Sequence, residues 1–298
     1  MPKKKSTVDS TAVDRHKDLR DFLDRVEEMG ELRQLDGVDW NLEMGALAEM
    51  VCHESREGKS PALLFDEIPG HPKGFRVLSG ATNSSRRLAY ALGFPEPSGP
   101  TDVVKAFRDR MRTEFELIPP IEIERGPVFE NIDRDDEVDL YKFPIPFIHE
   151  FDGGRYIGTD DLVIIRDPDS DWINSATYRV MVHDKNTCGI WMSPGKHGRI
   201  IREKYFSKGK SCPVAISVGQ DPLLFMAANQ EIDYGTDELA YAGGHRGFPF
   251  EIVKSELHGL PLPAHSEIIL EGEIFGNETR PEGPFGEFMG YYASEVSD

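Results

Sequence analysis

Along the first part of the chain, hydrophobic positions recur with the spacing of one helical face, and polar residues fill the intervals. After Asp18, the residues Leu19, Phe22, Leu23 and Val26 fall at i, i+3, i+4 and i+7. That spacing predicts an amphipathic helix, with Gly30 as its stop. A second helix is predicted from residue 42 to about residue 53, with Leu42, Ala46, Leu47 and Met50 turned inward. Two short apolar runs, 62–65 and 75–78, read as buried strands separated by the Pro69-Gly70 turn. Residues 84–92 read as a helix closed by Gly93. A further helix is expected from 101 to about 115, with Thr101 as N-cap and Asp102 in its first turn.

Pro119-Pro120 breaks this pattern. Beyond it, strand-like runs dominate, at 161–166, 177–182, 213–218 and 266–272, with helices expected at 198–208 and from near Thr236. The prediction is an α+β chain. An N-terminal α/β domain covers residues 1–125, and a strand-rich, barrel-like domain covers 126–298. No internal repeat or low-complexity tract interrupts either part.

Composition narrows the function classes. The chain has 298 residues, enough for a sizeable core, and a formal net charge of −19. Such a surface argues against nucleic acid or an anionic membrane as partner, while leaving room for one local phosphate pocket. No apolar run reaches spanning length. The basic tip Met1-Pro2-Lys3-Lys4-Lys5-Ser6 lacks the apolar stretch of a secretory signal. Cys52, Cys188 and Cys212 are odd in number and form no CxxC pair, which fits reduced thiols in the cytoplasm.

The candidate chemistry lies mostly in the second half. Glu282-Gly283-Pro284-Phe285-Gly286-Glu287 sets two carboxylates around a Gly-Pro-Phe-Gly turn. In one shared cavity, one carboxyl could hold a proton while the other stays charged; in open solvent the same stretch is an acidic surface turn. Asn174, His197 and Glu238 are oxygen and nitrogen donors suited to Mn²⁺ or a similar ion. Each also has an ordinary reading, as a strand cap, a loop residue before a helix and a first-turn acid. Arg179, read within the run 177–182 on the face opposite Tyr178, needs a partner. A substrate carboxylate, a flavin edge or Glu282 would serve, as would a plain structural ion pair. Pro194-Gly195-Lys196-His197-Gly198 ahead of a helix has the make-up of a phosphate cradle. It is neither a Walker A loop nor a dinucleotide fingerprint, and no serine elbow or HExxH occurs.

Taken in order, these stretches are not independent. They are Asn174-Ser175-Ala176-Thr177-Tyr178-Arg179, Met181-Val182-His183-Asp184-Lys185, Gly195-Lys196-His197, Thr236-Asp237-Glu238 with the following Ala240–Gly243, residues 261–272, and Pro281 to Glu287 with Gly290-Tyr291-Tyr292. In order and spacing the set resembles the UbiD family of reversible decarboxylases, most strongly over residues 170–292. The ferulic and cinnamic acid decarboxylases are similar in the acidic loop.

The resemblance implies a split β-barrel flavin-binding domain at 126–298 that carries prenylated FMN. A divalent metal, Mn²⁺ in the usual case and often with K⁺, would bridge the cofactor phosphate to Asn174, His197 and Glu238. Ser175, Ala176, Thr177, Tyr178 and Arg179 would line the flavin, with Lys196 beside the metal histidine. Arg179, Glu282 and Glu287 would match the family's catalytic network, with Glu287 as proton donor. The implied reaction is reversible non-oxidative decarboxylation of an aromatic or α,β-unsaturated acid. A flavin prenyltransferase would supply the cofactor. Two departures stand out. Lys196 occupies a place where glutamine is common, and on this resemblance the family's usual C-terminal domain would be missing. The second departure gives an alternative expectation, a partner-dependent or non-catalytic subunit within a homo-oligomer or a two-subunit complex. A metal-dependent hydrolase using the same Asn/His/Glu set is a third reading.

Overall fold

The structure is a computed structural model that describes residues 15–54, 60–112, 116–287 and 289–293. The basic tip, the far end of the helix expected to reach residue 115, and residues 294–298 lie outside the described residues.

Helix α1 (Leu19–Glu28) forms where its apolar stripe predicts. Asp18 caps it, its side chain accepting from the amides of Arg20 and Asp21, and Leu19, Phe22, Leu23 and Val26 are buried. Strand β1 (Leu32–Asp36) follows. Helix α2 (Glu43–Glu54) departs from expectation. Leu42 stands outside the helix with φ 68° and donates its N–H to the Phe147 carbonyl at 2.8 Å. The helix therefore starts one residue later and turns a different face inward. Met44, Leu47, Ala48 and Val51 pack toward the core, whereas Ala46 is exposed and Met50 is 55 % exposed. The first turn of α2 lies against main chain, because a Cβ on Gly45 would stand 2.0 Å from the Ile148 carbonyl oxygen.

Strand β2 (Ala62–Asp66) pairs in parallel with β1 and antiparallel with β3 (Val77–Ser79), giving a small sheet of order β1-β2-β3. Helix α3 (Ser85–Ala91) is capped by the Ser84 hydroxyl, as its sequence suggests. Helix α4 (Pro100–Arg112) begins on a proline, so Thr101 lies inside its first turn and is not the N-cap. Proline suits a first helical position because its missing N–H would have had no partner there.

The second part carries β4 (Ile121–Glu122), β5 (Arg155–Gly158), β6 (Leu162–Arg166), β7 (Ile173–Ala176), β8 (Val180–Asp184) and β9 (Thr187–Ile190). Then come α5 (His197–Ser207), β10 (Cys212–Val218), α6 (Pro222–Ala228), α7 (Glu238–Arg246), β11 (Glu251–Lys254), β12 (Pro261–Pro263) and β13 (Ile268–Ile274). Strands β14 (Phe285–Glu287) and β15 (Tyr291–Ala293) close the described chain as an antiparallel pair. Helix α6 was not foreseen. Its signal is Asp221-Pro222 before Leu223-Leu224, an N-cap with proline at the first position.

Two sheets, β13-β10-β6-β7 and β5-β8-β9, enclose an apolar layer of Val163, Ile165, Tyr178, Val180, Ile201 and Val214. The expected strand over 177–182 is broken. Thr177, Tyr178 and Arg179 form the link by which the chain leaves β7 in one sheet and enters β8 in the other. On the far side of β6 a larger core gathers Leu92 and Val103 of the first part with Ile164, Leu224, Leu239 and Val253 of the second. The architecture is α+β. Among the described residues, no helix is long and apolar enough to cross a membrane.

Candidate active site

The link between the two sheets aims the arginine. Tyr178 is buried in the apolar layer, and its hydroxyl accepts the Gly198 N–H at 3.1 Å at the start of α5. Its neighbour Arg179 turns the other way, toward the acidic loop. Nε and Nη2 of Arg179 donate to the two oxygens of Glu282, each at 2.7 Å, in a two-pronged pair. The Tyr156 hydroxyl on β5 donates to the same carboxylate at 2.9 Å. Of the partners left open for Arg179, the structure pairs it with Glu282. The arginine and glutamate side chains are 13 % and 5 % exposed, so the pair is largely desolvated. Burial, and next the Glu282 charge, push the Tyr156 phenol far above its ordinary range, so it remains an O–H donor.

Glu287 ends β14. Along a strand, residues i and i+2 share a face, so Glu287 lies on the side of Phe285. That face looks toward the arginine, because the Phe285 ring lies 5.3 Å from the Arg179 guanidinium and 4.7 Å from the Tyr156 ring. Among the described residues the Glu287 side chain takes no hydrogen bond, in contrast with Glu282. A cleft of about 1720 Å³ opens beside this group, with Tyr156, His183, Trp191 and Glu282 in its wall. Arg179, Glu287, Asn174, His197 and Glu238 are not among its lining residues.

The acidic loop is seated on residues 149–153. Asp152, buried, accepts the Gly286 N–H at 2.7 Å, and Gly153 donates its N–H to the Pro284 carbonyl at 2.7 Å. Main chains meet closely here. A Cβ on Gly153 would stand 2.1 Å from the Gly283 carbonyl oxygen, and one on Gly286 would stand 2.4 Å from the His149 ring.

The proposed metal donors are partly gathered. Asn174 lies inside β7, not at a strand cap, and its Nδ2 donates to Glu238 at 2.9 Å. Glu238 opens α7 and also accepts the Ser175 N–H at 2.8 Å. Desolvation is the main influence on Glu238 and lifts its carboxyl to about 7. Asn174 Oδ1 and Ser175 Oγ are buried and have no hydrogen-bond partner among the described residues. His197 is the first residue of α5, with its ring edge-on to Trp172 at 5.4 Å and Tyr234 at 5.2 Å. It shares no hydrogen bond with Asn174 or Glu238. Among the described residues, no three His, Cys, Asp or Glu side chains converge as a metal cluster. An unpartnered amide oxygen beside a carboxylate with little solvent is nevertheless a donor set of the right kind for a divalent ion. Lys196 precedes α5 and is 55 % exposed, with Nζ 3.6 Å from Glu231.

Several residues at this site were not foreseen. Tyr156, His149 and Asp152 lie far from the acidic loop in sequence, although Gly153-Gly154 signals a close backbone approach. Asp161 is fully buried under the same link. Its carbonyl accepts the Thr177 hydroxyl at 3.0 Å, and burial holds its carboxyl well above the ordinary range.

Comparison with known proteins settles the family. Residues 121–298 match the 3-octaprenyl-4-hydroxybenzoate carboxy-lyase Rift-related domain, and residues 23–107 match the corresponding N-terminal domain. The chain belongs to the UbiD family. It is 40 % identical over 282 residues to a pyrrole-2-carboxylic acid decarboxylase of Pseudomonas aeruginosa, covering 92 % of this chain and 56 % of that protein. The UbiD-family chain superposes with TM-score 0.86 and 31 % identity on vanillic acid decarboxylase of Sedimentibacter hydroxybenzoicus in its closed form, covering 94 % of this chain and 60 % of that one. An evolved dimeric form of the UbiD-class enzyme HmfF from Pelotomaculum thermopropionicum, solved with prFMN, superposes with TM-score 0.83 at 29 % identity, covering 95 % of this chain and 62 % of that one. The chain thus spans a little over half the length of the curated relatives it matches.

Proposed function

We propose that this UbiD-family chain carries out reversible non-oxidative decarboxylation of an aromatic or α,β-unsaturated carboxylic acid with prenylated FMN. The observation that carries this reading is the asymmetry of the two acids. Glu282 accepts three hydrogen bonds, two of them from the Arg179 guanidinium. Glu287, on the strand face that looks toward Arg179, is left without one and is the group that can carry a proton in and out. The Arg179 Nη1 edge is not used by Glu282 and can receive a substrate carboxylate. When bound, the prenylated flavin supplies the acceptor for the electron pair left as carbon dioxide departs. Glu287 then delivers its proton to the substrate carbon. Tyr156 keeps Glu282 fixed, and Glu282 keeps the guanidinium plane fixed.

In this proposal Asn174, Glu238 and His197 would hold a divalent ion, Mn²⁺ by donor type. Ser175, Ala176, Thr177, Tyr178 and Lys196 would contact the cofactor. K⁺, supply of the flavin by a prenyltransferase, a cytoplasmic setting and the domain division near residue 125 belong to the same proposal and rest on resemblance. The test is Glu287→Gln in protein loaded with the cofactor. Turnover of an aromatic acid should fall by about 10²- to 10⁴-fold with flavin content unchanged; activity near that of the parent would remove Glu287 from this role. A second reading, a subunit that acts only with a partner, draws on the apolar surface around the acidic strand, where Phe151, Met289 and Tyr291 are 65 %, 67 % and 58 % exposed. Decarboxylation by this chain with no other polypeptide present would exclude it.

A further inference from the structure

Between α2 and the acidic loop lies a histidine held by two carboxylates. His149 Nε2 is 3.2 Å from Glu49 Oε1 on α2. On its other side Asp152 Oδ2 lies 3.5 Å from Nδ1, too far for a good hydrogen bond, and the same oxygen accepts the His149 N–H at 2.9 Å. The other oxygen of Asp152 takes the Gly286 N–H, one residue before Glu287. The ring itself lies over the loop. Phe285 and Tyr292 meet it edge-on at 6.5 and 6.3 Å, and Gly286 has no side chain to push it away.

The support reaches further back. The Asn41 bridge to Phe147, the Leu42 N–H on the Phe147 carbonyl and the contact of Gly45 with Ile148 fasten the start of α2 to the two residues before His149. A continuous path of main-chain contacts and short polar contacts therefore runs from α2 through His149 and Asp152 to the strand that ends in Glu287.

We infer that Glu49 and His149 are positioning residues that fix the acidic strand against α2, so that the N-terminal part of the chain sets where Glu287 points. The inference rests on the proposed role of Glu287, and its test has one arm that does not. In the full chain, hydrogen exchange of the segment 283–292 should quicken at least about tenfold in His149→Ala, with α5 and β10 at parental rates. Unchanged exchange in that segment overturns the inference. Should His149→Ala loosen the whole molecule, Glu49→Gln, which keeps the side-chain shape, decides the matter by the same criterion. In the cofactor-loaded protein, kcat should fall about 10- to 100-fold in His149→Ala while KM stays within about twofold and flavin content holds. His149→Gln, which keeps a donor toward Glu49, should recover part of the loss. A loosened strand with parental kcat also overturns it. Full activity of Glu287→Gln would instead remove the proposed proton donor and leave the exchange result standing.

Discussion

Glu282 and Glu287 are the same residue type five positions apart, and their surroundings differ. Buried carboxylates are costly unless hydrogen-bonded and paired, and Glu282 is both. Removing the cation should therefore hurt more than removing the phenol. Arg179→Ala leaves a buried charge uncompensated and should cost about 3–5 kcal/mol, whereas Tyr156→Phe loses one hydrogen bond to a charged group, about 1.5–3 kcal/mol. Urea denaturation with an unchanged slope measures both; the reverse order would show that the guanidinium is not the main support of Glu282. Sequence reasoning reached Arg179 and Glu282 because family motifs carry them. It missed Tyr156, which sits 126 positions from Glu282. No local pattern separates a tyrosine that hydrogen-bonds a distant acid from one that fills a strand.

At the scale of elements, legibility followed how local the determining contacts are. Helix α1 was readable because one stripe and one cap decide it. Helix α2 was rotated from its predicted face because Leu42 is tied to Phe147, more than a hundred residues away. The run 177–182 has strand-like residues throughout, but the passage from one sheet to the other breaks it. Helix α7 offers an element-level test. His245 stacks flat on Phe107 of α4 at 5.9 Å and meets Tyr241 edge-on at 4.6 Å. Burial, and after it the Arg110 cation, push its imidazole down from 6.5 to about 4. The unfolded chain takes this proton first. Stability should therefore fall as pH drops from about 6.5 toward 4 and lose nothing further from this group below that. In His245→Phe this part of the loss should vanish, as unfolding free energies of the two proteins across that window would reveal. Parallel curves would mean that His245 does not titrate between them.

At the scale of the whole molecule, the division into an N-terminal part and a strand-rich part is clearer in sequence than in packing. Leu92, Phe94 and Val103 share a core with Leu162, Leu239 and Leu260. His16 and Asp221 form a buried pair at 3.1 Å, and Arg246 donates to the main chain of His16 and Lys17. Neither part can leave the other without exposing apolar surface and stranding polar groups. Calorimetry should show one cooperative transition whose calorimetric and van't Hoff enthalpies agree; two resolved transitions would mean that the shared core is not what holds the parts together.

The seating of the acidic loop on Gly153 and Gly286 bears on how such a chain can diversify. At Gly153 the distance from the loop to its support is measured in main-chain atoms, which a change of side chain elsewhere leaves as they are. Side chains around the cleft can be exchanged over generations without touching that contact. The strand that ends in Glu287 keeps its place through those exchanges, provided that positions 153 and 286 gain no side chain and that Glu49, His149 and Asp152 keep theirs.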